Sequence, residues 1–217
     1  MPRVILREED FIIKGKLPLL ELELLSRDAL QYADKSSKAG LVSGTKDPKQ
    51  TQSNHNNIPR YDDSRRNCLT FFPTHNKYPK TINLLHSLLI ENYLNIYDLL
   101  DYSDISTIQY VKYNKGHYFK KHTDLVTNIN DHFRALTMSI NMTDPNEYSG
   151  GDLLVYNQKD KVIDSLDKSK GSFIILPSFF PHEATEVTVG SREAIVTWLS
   201  GTGDSIAAFQ DAVRRAS

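Results

Sequence analysis

His122, Asp124, His182 and Arg192 are the residues of this chain whose types and spacing can do chemistry. His122 and Asp124 lie two apart in FKKHTDL, so a β-strand there presents both side chains from one face. His182 follows Asp124 by 58 residues, in PSFFPHEAT, and Arg192 comes ten residues later. Two imidazoles and a carboxylate can hold a divalent first-row metal on one face of an octahedron and leave the opposite face open. A 2-oxo acid and dioxygen can take the open face, and Arg192 has the planar fork that pairs with a carboxylate. Zinc also accepts His and carboxylate ligands, so the donor types alone do not select the metal. A lone His-x-Asp pair is ordinarily a surface or hydrogen-bonding pair. What raises this one is the strand-like YVKYNKGHYFKKH before it and the second His and the Arg at later strand positions.

The elements that must position these residues are mostly short strands. Their pattern runs through ISTIQYVKY, HYFKKHTDL, RALTMSINM, DLLVY, SFIILP, HEATEV and REAIVTWL. Turn signals divide them at Asn114-Lys115-Gly116, Asp144-Pro145-Asn146, Gly150-Gly151, Lys170-Gly171 and Val189-Gly190-Ser191. Strands at this spacing predict a sandwich or barrel, the jelly roll included. In the strand from Arg134 to Met142, Leu136, Met138, Ile140 and Met142 share an apolar face. Ala135, Thr137, Ser139 and Asn141 share a small, mostly polar face, suited to lining a pocket. In the last strand Arg192, Ala194, Val196 and Trp198 share a face, which puts Trp198 in line with the candidate anion-binding arginine.

The first hundred residues read differently. Residues 2–17 are expected to be extended. Pro18 then opens a helix with a leucine-rich face, and Pro79 opens a second, with Ile82, Leu85, Leu89 and Tyr93 at helical spacing. Between them, residues 35–66 are polar, with seven Lys or Arg against Asp47, Asp62 and Asp63, a net of +4. This is either a surface loop, its basic residues solvated, or a lid over substrate. Cys68 to Phe72 reads as a short buried strand, with Cys68 a core residue. The expected organisation is a support region over 1–104, a β core over 105–200, and a tail over 201–217 that can form a short helix.

Composition narrows the rest. Of 217 residues, 39% are hydrophobic and 24% charged, and the net charge is −1. These values fit a globular domain and offer no electrostatic pull toward nucleic acid or an anionic membrane. One cysteine permits no intrachain disulfide. With neither a signal-like N-terminus nor an apolar run long enough for a bilayer, the expected location is the cytoplasm.

The spacing Tyr113-x-x-Gly116-x-x-Phe119-x-x-His122-x-Asp124 resembles the metal-binding segment of the prolyl 4-hydroxylase branch of the Fe(II)/2-oxoglutarate-dependent dioxygenases. Arg134-Ala135-Leu136-Thr137, the block from Tyr148 to Leu153 and the block from Gly171 to Ser178 continue the likeness. His182-Glu183-Ala184, Val187, Gly190, Arg192 and Trp198 complete it, in the same order. Bacterial PKHD-type hydroxylases are similar in these blocks. The resemblance implies a mainly β fold with flanking helices, the double-stranded β-helix or jelly-roll barrel. It implies Fe(II) on His122, Asp124 and His182, with 2-oxoglutarate and O2 as co-substrates and ascorbate as a candidate reductant. It assigns Arg192, where prolyl hydroxylases usually carry Lys, together with Tyr113 and Thr137 to 2-oxoglutarate, and Trp198 to the pocket wall beside Ser139.

The expected activity is hydroxylation of an unactivated C–H bond with decarboxylation of 2-oxoglutarate to succinate. The first-choice substrate is a peptidyl or protein residue, proline foremost. The alternatives are a free amino acid or small metabolite, or a non-catalytic jelly-roll module. Nucleic-acid demethylation ranks low, because the position six beyond Arg192 holds Trp198 where such enzymes carry a second arginine.

Overall fold

A computed structural model of the chain describes residues 8–30, 37–38, 63–72, 79–94, 102–125, 132–202 and 211. The strands, numbered along the chain, are β1 (Ile13–Lys16), β2 (Ser37–Lys38), β3 (Arg66–Asn67), β4 (Leu69–Phe71), β5 (Tyr102–Asn114), β6 (Tyr118–His122) and β7 (His132–Asn141). They continue with β8 (Tyr148–Gly150), β9 (Leu153–Tyr156), β10 (Val162–Ser165), β11 (Ser172–Pro177), β12 (His182–Ala184) and β13 (Val187–Thr202). The helices are α1 (Leu19–Leu30) and α2 (Pro79–Leu94). No described helix is long and apolar enough to cross a membrane.

The strands form two antiparallel sheets, the jelly-roll arrangement, without closing into a single ring. The major sheet runs β1-β11-β7-β13-β5-β4-β2, with β8 also on β13. The minor sheet runs β10-β9-β12-β6-β3. Strands from before residue 104 therefore belong to both sheets: β1 pairs with β11, β4 with β5, and β3 with β6.

Alternation in β7 separates core from cavity. Leu136, Met138 and Ile140 are fully buried, in one cluster with Leu25 of α1 and Leu85 and Leu89 of α2. Each such side chain contributes roughly 1.5–3 kcal/mol by leaving water. Thr137 and Ser139, of opposite parity, line the space between the sheets. Strand β13 repeats the device, with Ile195 and Leu199 in the core and Arg192, Ala194, Val196 and Trp198 on the cavity. Helix α1 starts after Pro18, whose carbonyl accepts a hydrogen bond from Leu22 N. Its first turn leaves Leu19 and Leu20 exposed. Thr81 of α2 donates to the buried Asp28 of α1 and joins the helices.

Three expectations change. The extended run over 2–17 is a 3-10 turn at Glu8–Phe11 followed by β1, and residues 1–7 lie outside the described set. Phe72 is exposed, so the buried strand ends one residue earlier than expected. The Val189-Gly190-Ser191 signal does not end a strand. Strand β13 continues through it, pairing first with β8 and then with β5 and β7. Gly190 makes that bend at φ 68°, where a Cβ would sit 2.0 Å from Glu147 O. Only glycine takes this conformation and contact together without strain.

Candidate active site

The register of the minor sheet brings the two histidines together. His182 is the Cα partner of His122, 60 positions earlier. Their ring centroids lie 4.4 Å apart. Each ring is oriented from behind: His122 Nδ1 lies 2.8 Å from Lys120 O, and His182 Nδ1 lies 3.0 Å from Phe180 O. Donation from Nδ1 to these carbonyls leaves each Nε2 lone pair free for a ligand.

Asp124 reaches the same point by another route. β6 ends at His122, so the pleat alone does not place Asp124. Its backbone N–H donates to Ser178 O at 2.8 Å, and Ser178 N donates to Ala135 O at 2.9 Å, which anchors the segment to β7. Its Oδ2 accepts from Trp198 Nε1 at 2.9 Å and from Thr137 Oγ1 at 3.1 Å. Thr137 Oγ1 also meets Ser178 Oγ at 2.9 Å. His122 Nε2 lies 3.5 Å from Asp124 Oδ1, and His182 Nε2 lies 3.4 Å from Oδ2. The three candidate ligand atoms all fall within 4.8 Å of one another.

Burial and mutual charge set the protonation. Burial would raise the Asp124 carboxyl, yet the His182 charge and hydrogen bonds from both imidazoles hold it well below the usual carboxylate range. Burial and the neighbouring His182 push His122 down, toward the neutral ligand form, against the pull of Asp124. Burial also acts to lower His182, but the charge and hydrogen bond of Asp124 outweigh it and raise its pKa. A proton shared by this pair is what a metal cation would displace.

The other end of the cavity belongs to the major sheet. Arg192 is the cross-strand partner of Tyr113, with its guanidinium carbon 5.7 Å from the phenol ring centroid. It is only 3% exposed, and its Nη2 has no hydrogen-bond partner. Burial pushes the Tyr113 phenol up, so its hydroxyl stays a donor at neutral pH. The donor set fits a first-row metal, and the buried Arg192, with its Nη2 unpartnered, fits a carboxylate reaching it from that metal.

Every residue singled out in the sequence for this site lines the one cavity: His122, Asp124, His182, Arg192, Tyr113, Thr137, Trp198 and Ser139. The hydroxyl of Thr137 is engaged with Asp124 and Ser178. His117 and Asp152 do not line it. His117 sits in the β5–β6 turn, and Asp152 pairs with Lys168 at 2.9 Å and with Thr185. His86 is on α2, and Arg134 lies with its guanidinium 3.7 Å from the Trp198 ring centroid. His55 and His75, and all of the 201–217 tail except 201, 202 and 211, fall outside the described residues.

Several lining residues were given no place in the site by the sequence reading, Phe119, Gln109 and Arg66 among them. Phe119 stacks on the His122 ring at 3.5 Å between centroids. Gln109 shares the parity of Val111 and Tyr113 on β5. Arg66 corrects the expectation that the basic residues of 35–66 are solvated, because it is 91% buried and lies over the Phe119 ring at 4.4 Å. The available signal was parity: Arg66, Cys68 and Thr70 alternate, and all three are buried.

Comparison with known proteins agrees with this geometry. Residues 108–200 match the family model of the 2OG-Fe(II) oxygenase superfamily. A PKHD-type hydroxylase from Shewanella frigidimarina (strain NCIMB 400) is 27% identical over 93 residues, 41% of this chain and 40% of that protein. The chain thus spans less than half the length of this curated relative. Among solved structures, a prolyl-4-hydroxylase from Pseudomonas putida superposes with a TM-score of 0.63 at 12% identity, covering 87% of this chain and 91% of that one. A prolyl hydroxylase from Trichoplax adhaerens, in complex with a hypoxia inducible factor oxygen degradation domain peptide fragment, gives 0.66 at 14% identity, covering 92% and 87%. A viral collagen prolyl hydroxylase of Paramecium Bursaria Chlorella virus-1, as its 2OG complex, gives 0.60 at 16% identity, covering 88% and 96%. At these identities the structural likeness establishes the fold.

Proposed function

We propose that the chain is a 2OG-Fe(II) oxygenase, the superfamily whose model its residues 108–200 match, and that it hydroxylates an unactivated C–H bond of a peptidyl or protein residue, proline foremost. The observation that carries the reading is Arg192, a buried guanidinium with an unpartnered Nη2 on the cavity that also holds His122, Asp124 and His182.

In this reading His122 Nε2, Asp124 and His182 Nε2 hold Fe(II), and Arg192 and Tyr113 take the distal carboxylate of 2-oxoglutarate. The bound iron and co-substrate supply the oxidising power, with one atom of O2 going to the substrate and the other to succinate as carbon dioxide leaves. The protein's part is placement. The Lys120 and Phe180 carbonyls fix which imidazole nitrogen faces the metal. Trp198 and Thr137 occupy Oδ2 of Asp124, favouring ligation through Oδ1 alone. The buried Arg192 and Tyr113 give the co-substrate one orientation and keep water from its far end. Thr137, which the resemblance assigns to the co-substrate, acts here through Asp124.

The peptide assignment is supported by the peptide seen with the Trichoplax fold relative. The cytoplasmic reading rests on the sequence, Cys68 being the single cysteine. The test is to incubate purified protein with Fe(II), ascorbate, 2-oxoglutarate and a peptide panel, reading succinate and peptide mass together. The expected result is stoichiometric succinate with a gain of one oxygen atom on a peptide. Oxygen transfer only to a free amino acid or metabolite overturns the peptide assignment. Failure to bind or decarboxylate 2-oxoglutarate at all leaves the non-catalytic module as the reading.

A further inference from the structure

Arg66 has no role in the chemistry described so far, yet it is 91% buried and lines the same cavity. Its Nε donates to Cys68 Sγ at 3.1 Å, and its Nη2 reaches Gln109 Oε1 at 3.5 Å. A thiol and a distant amide oxygen cannot neutralise a guanidinium. Among the described residues no carboxylate lies within ion-pairing distance of it. A buried cation is costly until a counter-charge arrives.

Position and charge balance indicate what that counter-charge is. Arg66 stacks on Phe119, and Phe119 stacks on His122, so the guanidinium stands two ring layers from the metal-binding edge. Taken at formal charges, a divalent metal, the Asp124 carboxylate, a 2-oxoglutarate dianion and the Arg192 guanidinium cancel. Arg66 is then left over. So is Arg134, which holds its cation over the neighbouring Trp198 ring. Burial lowers the Arg134 pKa, with Asp124 opposing and the Arg66 charge adding to the lowering.

Resting on the assignment of iron and 2-oxoglutarate above, we infer that Arg66 forms a carboxylate-binding subsite, and that the substrate class is one carrying a carboxylate close to the hydroxylated carbon. The source is either an acidic side chain beside the target residue of a peptide or the α-carboxylate of a free or C-terminal amino acid. The planar fork of Arg66, held on edge by Cys68 and on its face by Phe119, is preorganised for either.

The test reads binding, not turnover. The whole protein is loaded with Mn(II) and 2-oxoglutarate without oxygen, and 2-oxoglutarate binding is measured first. Two probe pairs are then compared by ligand-observed NMR. The first is capped tetrapeptides of randomised centre flanked by glutamate, against the same mixture flanked by glutamine. The second is N-acetyl amino acids against their N-methylamides. One acid series is expected to bind about tenfold tighter than its neutral partner. Which series does so identifies the source. The preference is expected to disappear in Arg66→Met and to persist in part in Arg66→Lys. Equal binding of acid and neutral probes by the wild-type protein, including no binding of either, overturns the inference whatever the variants do. So does a preference unchanged in Arg66→Met. Failure to bind 2-oxoglutarate at the first step strikes the iron and 2-oxoglutarate reading instead, which keeps the two failures apart.

Discussion

The two sheets that face each other across the cavity do different work and are built differently. The major sheet contributes Arg192, Tyr113, Thr137 and Trp198 from long central strands, with β13 paired to β5 in unbroken register from Ser191 to Trp198 and shifting only beyond it. The minor sheet contributes His122, His182, Phe119 and Arg66 from strands of two to five residues, with a register irregularity beside His182. Long strands buried on the core side have little freedom to slip, because a one-residue slip would invert every side chain. Short strands lack that protection. The contrast teaches that the reactive donors stand on the weaker sheet and are held by the stronger one. Asp124 is the link: its carboxylate is hydrogen-bonded by Thr137 and Trp198, and its backbone is tied through Ser178 to Ala135 of β7.

The sharpest way to break the contrast is on the minor sheet itself. His182→Ala is expected to abolish metal binding and reduce turnover to background, as read by Mn(II) titration and succinate release. Metal bound as tightly as in the wild type would remove His182 from the donor set.

On the major sheet, Arg192→Ala is expected to leave metal binding in place and raise the 2-oxoglutarate requirement about thirtyfold. That corresponds to the loss of a charge-assisted contact worth about 2 kcal/mol. An unaltered requirement would mean that the anchor lies elsewhere.

Thr137→Val tests the link between the sheets. It keeps the shape of the side chain but removes the hydroxyl donor on Asp124. Metal affinity should fall roughly tenfold, in line with the loss of a group that orients a ligand. At saturating metal the 2-oxoglutarate requirement should stay as in the wild type. A rise in that requirement with unchanged metal affinity would return Thr137 to direct contact with the co-substrate.

The smallest effect belongs to Lys112→Ala. This residue pairs with Glu193 at 3.0 Å on the outer face of the major sheet, partly exposed. The expected cost is about 0.5 kcal/mol in a denaturant titration, with no change in either binding constant. A larger loss would show that the major sheet is less secure than its register suggests.

Much of the cavity was legible from alternation. Thr137 and Ser139 on one face of a strand whose other face is Leu136, Met138 and Ile140 can be read without coordinates, because the β period is two. The same holds for Trp198 in line with Arg192. The short strands β8 and β10 carried too few residues to show a period. The turn at Gly190 was legible as a glycine requirement, but whether the chain reverses or merely bends there depends on β8 lying alongside.

The sequence by itself determined the donor types, their order and the face of each strand on which they stand. Those follow from side-chain chemistry and local backbone geometry, which travel with the residues. Only the tertiary structure decided that His182 pairs across from His122, that Trp198 serves Asp124 74 positions earlier, and that Arg66 leaves a polar segment to lie one ring from the candidate ligand His122. Those contacts join distant parts of the chain, and their geometry is set by how one sheet packs on the other.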